Sequence, residues 1–128
     1  MSKKIIHTDK APSAVGPYSQ AVGAPSGQTF YLSGQIGLEP QTGSLVEGSF
    51  QEQVRQAFDN MKAVIEACGG DLSNVVKLTL FLTDLSRFGE VNSIMAELFE
   101  EPYPARSTIG VSSLPKDAEF EVEAVIVV

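Results

Sequence analysis

The sequence predicts an α+β domain of two layers, a single sheet with two helices packed on one of its faces. Three observations carry that expectation. Strand-like and helix-like segments follow in the order β-β-β-α-β-α-β-β, both helical segments carry one apolar stripe, and the later strands alternate apolar with polar residues. At 128 residues the chain is long enough for one domain with a full hydrophobic core, spanning 1–128.

A short strand at about 3–7 opens the chain, and the irregular stretch "TDKAPSAVGPYSQA" follows it. Two more strands are expected near 20–24 and 29–33, separated by the turn signal "PSGQ". The Pro and Gly of "GLEPQTGSLVEGS" mark a loop or small hairpin. Ser49 to Glu52, "SFQE", has the form of a capping box, a hydroxyl for a free amide ahead and a carboxylate reaching back. Behind it Phe50, Val54, Ala57, Phe58, Met61, Val64, Ile65 and Cys68 share one face of a helix of about 19 residues, which Gly69-Gly70 stops. Cys68 reads as a small core side chain of that stripe.

In "VVKLTLFL" (75–82) alternation groups Val76, Leu78, Leu80 and Leu82 on one face, and Val75, Lys77, Thr79 and Phe81 on the other. A second helix follows with Asp84 as N-cap and Leu85, Phe88, Val91, Met95, Leu98 and Phe99 as its buried stripe. A strand from Arg106 to about Ser112 and the turn "LPKDA" lead into the last strand, "EFEVEAVIVV". There Phe120, Val122, Ala124, Ile126 and Val128 are expected to face the helices, and Glu119, Glu121, Glu123, Val125 and Val127 to face away. With helices on one side only, the other face keeps Val75, Phe81, Val125 and Val127. That is too much apolar surface for a solitary monomer, so a closed homo-oligomer with sheet faces meeting is expected.

Charge narrows the partners. The formal net charge is −7 and no basic run occurs, which makes nucleic acid a poor partner. No apolar run reaches the roughly 18–20 residues of a membrane span. "MSKKIIHTDK" lacks the apolar centre of a leader, and a lone cysteine, Cys68, suits a reducing compartment, so a cytoplasmic protein is expected. One histidine, His7, without a Cys–His cluster, argues against a zinc site. No G-x-S-x-G elbow, Walker motif or G-x-G-x-x-G is present. The chemistry available is that of carboxylates, hydroxyls, amides and arginine.

Arg106 stands out because an arginine is always charged and costly to bury unpaired. It begins a strand just after Pro102 and Pro104, and alternation sets it on one face with Thr108 and Gly110. If this strand pairs with the last one through "LPKDA", Arg106 stands near a glutamate. It is then either half of a structural ion pair or part of an anion site.

"GPYSQA" (16–21), "SGQIG" (33–37), "VN" (Val91-Asn92), "YPARS" (103–107) and "LPKDAEFEVEAV" (114–125) together resemble the RidA (YjgF) family, in that family's order and over essentially the whole chain. The resemblance implies a chorismate-mutase-like α+β fold with a mixed six-stranded sheet. It also implies a homotrimer whose sheets form a central barrel, with active sites in the clefts between subunits. The implied activity is hydrolysis of 2-imino acids such as 2-iminobutanoate and 2-iminopropanoate to 2-keto acids and ammonia, without cofactor or metal, removing reactive products of pyridoxal-phosphate enzymes. Carried over by position, Arg106 resembles the arginine that grips the substrate carboxylate and Glu121 the acid that holds the attacking water. Tyr18, Ser33, Gly34 and Asn92 resemble pocket residues. Thr108 stands where many members carry cysteine; it offers the pocket a hydroxyl and removes any thiol chemistry from that position. The stretch before the arginine, "EEPY", is short for the family. The alternative is a non-catalytic module that binds small 2-keto acids at the same arginine.

Overall fold

The structure is a computed structural model and describes residues 3–128. The leader expectation rests in part on Met1 and Ser2, which lie outside the described residues. Six strands and two helices form: β1 (Lys4–Ile6), β2 (Ala21–Gly23), β3 (Thr29–Gln35), α1 (Phe50–Ala67), β4 (Val75–Leu82), α2 (Phe88–Leu98), β5 (Ala105–Gly110) and β6 (Phe120–Val127). The strands are mixed in direction and both helices lie on them. Hydrogen bonding divides them into a ladder ordered β3-β6-β4-β5 and an antiparallel ribbon of β1 and β2. Among the described residues only β4 and β5 run parallel, because α2 carries the chain back between them. Among the described residues no helix is long and apolar enough to cross a membrane.

α1 forms where the apolar period places it. Ser49 is its N-cap and accepts from the Glu52 amide, while the Glu52 carboxylate folds over Gly48 instead of completing the reciprocal half of the box. Phe50, Val54, Ala57, Phe58, Met61 and Ile65 are buried, and Cys68, the C-cap, packs half-buried against them. Val64, expected in the stripe, is exposed: the buried arc of the helix is narrower than the run of apolar residues. Phe120 of β6 packs against Phe50 and Phe58, with ring centroids 6.4 and 5.7 Å apart, and Phe58 meets Phe99 at 6.0 Å. Each such ring, fully buried, stabilises by about 1.5–3 kcal/mol.

Four further expectations need correction. Val75 is buried toward the helices and Val76 is not, because a bulge between Val75 and Lys77 shifts the alternation by one residue. At the same end of the sheet Val127 is buried and Val128 exposed, since β6 ends at Val127 and the last residue turns to bond Gln28. Leu85 is exposed, for Asp84 caps a separate 3-10 turn, Leu85–Arg87, ahead of α2; Ile94 joins the buried stripe instead. Glu119 leaves the row of Glu121 and Glu123: its amide and carboxylate are both held by the buried Gln53 side chain of α1.

The face of the sheet away from the helices is bare. It presents Tyr31 at 82% exposure beside Val125, with Thr79, Phe81 and Ile109 further across the same face.

Candidate functional site

β5 is an edge strand, and its parallel register sets Arg106 opposite Leu78 and Thr108 opposite Leu80. Paired residues share a face of the sheet, and Leu78 and Leu80 are buried against the helices. Arg106 and Thr108 therefore rise on the helix-bearing side. At the margin of the sheet the guanidinium reaches α2. Nη1 donates to the Met95 sulfur at 3.4 Å, and the Arg106 Cζ lies 4.8 Å from the Tyr18 ring centroid and 4.9 Å from that of Phe88.

Tyr18 is brought there by its neighbour. Buried Ser19 bonds β5's approach twice, its amide to the Pro104 carbonyl (3.0 Å) and its hydroxyl to the Tyr103 carbonyl (2.6 Å). Gln20 ties the same loop to Thr8 and Pro12, and the Val15 amide donates to the Tyr18 hydroxyl at 3.3 Å. So "GPYSQ" and "YPARS" are clasped together. Asn92 of α2 completes the group: its Oδ1 is buried and meets no donor. The position a Cβ would take on Gly16 has Arg106 Nη2, Asn92 Oδ1 and Tyr18 Cδ2 all within 4 Å.

Arg106 is half-buried, and burial lowers its pKa, partly offset by Tyr18. Among the described residues no carboxylate pairs with it. The ion pairs among the described residues join His7 to Asp9, Arg55 to Glu97 and Arg87 to Glu90. β5 and β6 do not pair either, because β4 lies between them. The structural Arg106–glutamate pair is thus absent.

Glu121 belongs to a second group. Its register partner on β4 is Phe81, so it stands on the bare face. Between Leu32 and Gln35 β3 takes three steps where β6 takes two, and the resulting bulge holds Ser33 and Gly34. Gly34 lies against Glu121 so closely that a Cβ there would overlap the carboxylate. Burial, and next the charge of Glu123, raise the Glu121 pKa; Arg106 does not enter.

Of the seven residues expected at the site, Tyr18, Asn92, Arg106 and Thr108 gather at one margin on the helix side, and Ser33, Gly34 and Glu121 on the opposite face. Within one chain the two groups point apart. Phe88 and Met95, which flank the guanidinium, were legible only as apolar stripe residues, and Ser19 carried no signal beyond its place in a motif. A cavity of about 880 Å³ opens elsewhere, beside Lys3, Asn74, Phe99 and Val128. No three His, Cys, Asp or Glu side chains among the described residues converge to hold a metal ion.

Fold and geometry define a small α+β domain with an unpaired guanidinium in an aromatic notch and a glutamate on the opposite sheet face. The chain belongs to the endoribonuclease L-PSP family, the RidA (YjgF) family its motifs resemble, whose profile matches residues 8–128. It is 48% identical to a protein of Dermatophagoides farinae named 2-iminobutanoate/2-iminopropanoate deaminase, over 98% of this chain and 97% of that one. The crystal structure of RidA from the Antarctic bacterium Psychrobacter sp. PAMC 21119 is 46% identical and superposes with a TM-score of 0.76, covering 98% of this chain and 99% of that one. The structure of E. coli TdcF, solved with bound serine, is 40% identical with a TM-score of 0.75, covering 98% of both chains.

Proposed function

We propose that this protein hydrolyses small 2-imino acids, such as 2-iminobutanoate and 2-iminopropanoate, to 2-keto acids and ammonia, at sites composed across the subunits of a homotrimer. The observation that carries the reading is Arg106: half-buried, flanked by two rings, and without a carboxylate of its own. A planar guanidinium in that state fits an incoming carboxylate through two charge-assisted hydrogen bonds. Relatives named for this reaction support it.

Arg106 of one copy holds the substrate carboxylate, and Thr108 offers a hydroxyl beside it. Glu121 of a neighbouring copy, with Ser33 and Gly34, presents water to the electrophilic C2. As water adds, its proton passes to the Glu121 carboxylate, whose raised pKa suits it to accept and return a proton. That proton then goes to nitrogen, and the C2–N bond breaks as the C2 hydroxyl passes its own proton, through the same carboxylate, to the departing ammonia. An iminium acid and one water thus yield the keto acid and ammonium, with no oxidant, metal or cofactor in the balance. The ribonuclease in the family's name has little to work with here: the net charge of −7 opposes a phosphate backbone, and a lone histidine provides no acid–base pair.

The test generates the imine in situ with an amino-acid oxidase and follows its disappearance. The wild-type protein shortens its lifetime, and Arg106→Ala returns it to the spontaneous rate. Mixing Arg106→Ala with Glu121→Gln under subunit exchange restores about a quarter of the activity, the share of sites in a random trimer that keep both native halves. Saturable keto-acid binding without turnover overturns the catalytic reading, and no recovery on mixing overturns the composite site.

A further inference from the structure

We propose that Gly16 is a specificity-determining position of this site, a floor kept free of a side chain so that a small 2-imino acid can reach Arg106 and Asn92 together. The proposal rests on the functional reading above and adds a residue and a size limit to it. Gly16 precedes Pro17, and its φ lies outside the left-handed region, so its backbone does not itself demand glycine. What a side chain would meet there is the site. A Cβ would stand 3.1 Å from Arg106 Nη2, 3.7 Å from Asn92 Oδ1 and 3.7 Å from Tyr18 Cδ2.

Two features say that the space above Gly16 is meant for a ligand. Arg106 commits Nη1 to Met95, which leaves the Nε and Nη2 edge, on the Gly16 side, for a carboxylate. Asn92 Oδ1 is a buried acceptor without a donor, a condition that costs about 1–3 kcal/mol unless something supplies an N–H or O–H. A 2-imino acid carries both complements, a carboxylate for the guanidinium and an N–H for the amide oxygen. One bound over the bare Cα of Gly16 touches both; a methyl group there fills the place it occupies. The free protein accommodates that methyl, because its tightest contact is with the end of a flexible side chain.

The experiment compares wild type, Gly16→Ala and Gly89→Ala, the last placing a methyl in open space on α2. Turnover of 2-iminopropanoate generated in situ, binding of pyruvate by calorimetry and thermal unfolding are measured on each. Gly16→Ala is expected to unfold at the wild-type temperature, to raise KM about tenfold or more with a smaller change in kcat, and to weaken pyruvate binding by a similar factor. Gly89→Ala keeps the wild-type KM and pyruvate affinity and unfolds at the wild-type temperature or a few degrees above it, since alanine favours a helix over glycine. A folded Gly16→Ala protein with wild-type KM and pyruvate affinity overturns the proposal. Wild type that binds pyruvate but turns over no imine, with binding lost in Gly16→Ala, removes the hydrolase reading and keeps the Gly16 assignment; wild type that does neither overturns both. Should Gly16→Ala fail to fold, the Gly16 amide resonance of the wild-type protein decides: it shifts on pyruvate titration, and a resonance that stays fixed overturns the assignment.

Discussion

Replacing Arg106 by methionine separates a binding arginine from a structural one. The substitution keeps an unbranched chain out to the ε position and removes the guanidinium with its charge. On the activity side, two charge-assisted hydrogen bonds to a substrate carboxylate are lost, at about 1.5–3 kcal/mol each, which lowers kcat/KM about 10²–10⁴-fold. On the stability side, two cation–π contacts disappear, those with Tyr18 and Phe88, worth about 0.5–1 kcal/mol each at a half-exposed site. Against them stands a thioether among the same two rings and Met95, worth about 0.3–1.5 kcal/mol per ring contact, and the relief of a partly desolvated, unpaired charge. The two sides nearly cancel. Arg106→Met is expected to unfold within about 4 °C of wild type, the shift that about 1 kcal/mol produces in a domain of this size. Scanning calorimetry gives the unfolding temperature, and the oxidase-coupled assay gives the rate. A protein that loses more than about 10 °C while still hydrolysing imines would mean that Arg106 braces the fold and serves no substrate.

Gly34→Ala is expected to reproduce the loss of Glu121, about 10²-fold in kcat, because the added methyl takes the space of the carboxylate; activity at the wild-type level would show that Glu121 does not act from that position. The raised Glu121 pKa sets the sign of a pH effect. The folded state holds this proton more tightly than the unfolded chain, so Glu121 lowers stability as pH rises from the ordinary glutamate range through its folded pKa. Glu121→Gln therefore unfolds at a higher temperature than wild type at neutral pH, and the difference closes below about pH 4; an unchanged or lower unfolding temperature at pH 7 refutes this. Tyr31→Glu and Ile109→Glu, on the bare face, are expected to turn an oligomer into monomers in sedimentation and to abolish hydrolysis with them. Active monomers would contradict a composite site.

Much of the fold was legible because its signals are local and repeat. The period of α1 and its stop at Gly69-Gly70 needed no tertiary information, and neither did the alternation from Leu78 to Leu82. The errors fall where a local rule was interrupted by something distant. The bulge at Val75 answers to β6, Glu119 to Gln53 on α1, and Leu85 to a 3-10 turn whose hydrogen bonds the apolar pattern does not encode. The residue types of the site were legible through motifs, but their distribution was not. That Arg106 and Glu121 lie on opposite faces follows from their partners on β4, Leu78 and Phe81, which differ in parity, and pairing register leaves no mark on alternation within a strand.

That separation has an electrostatic logic. Were Arg106 and Glu121 on one face of adjacent strands, they would form an ion pair. The guanidinium would then be neutralised, and the carboxylate would be held below its ordinary pKa, too weak a base to take a proton from water. Parity forbids this within a chain. Arg106 pairs in register with Leu78 and turns toward the helices, while Glu121 pairs with Phe81 and turns away, so each keeps the state its task requires: one unpaired and partly desolvated, the other with a raised pKa. On the proposed reading the two meet only when a second copy docks, and then across a substrate whose own carboxylate stands at the guanidinium. The long-range repulsion between an anionic substrate and a chain of net charge −7 makes that close, two-sided grip the source of affinity rather than any steering from a distance.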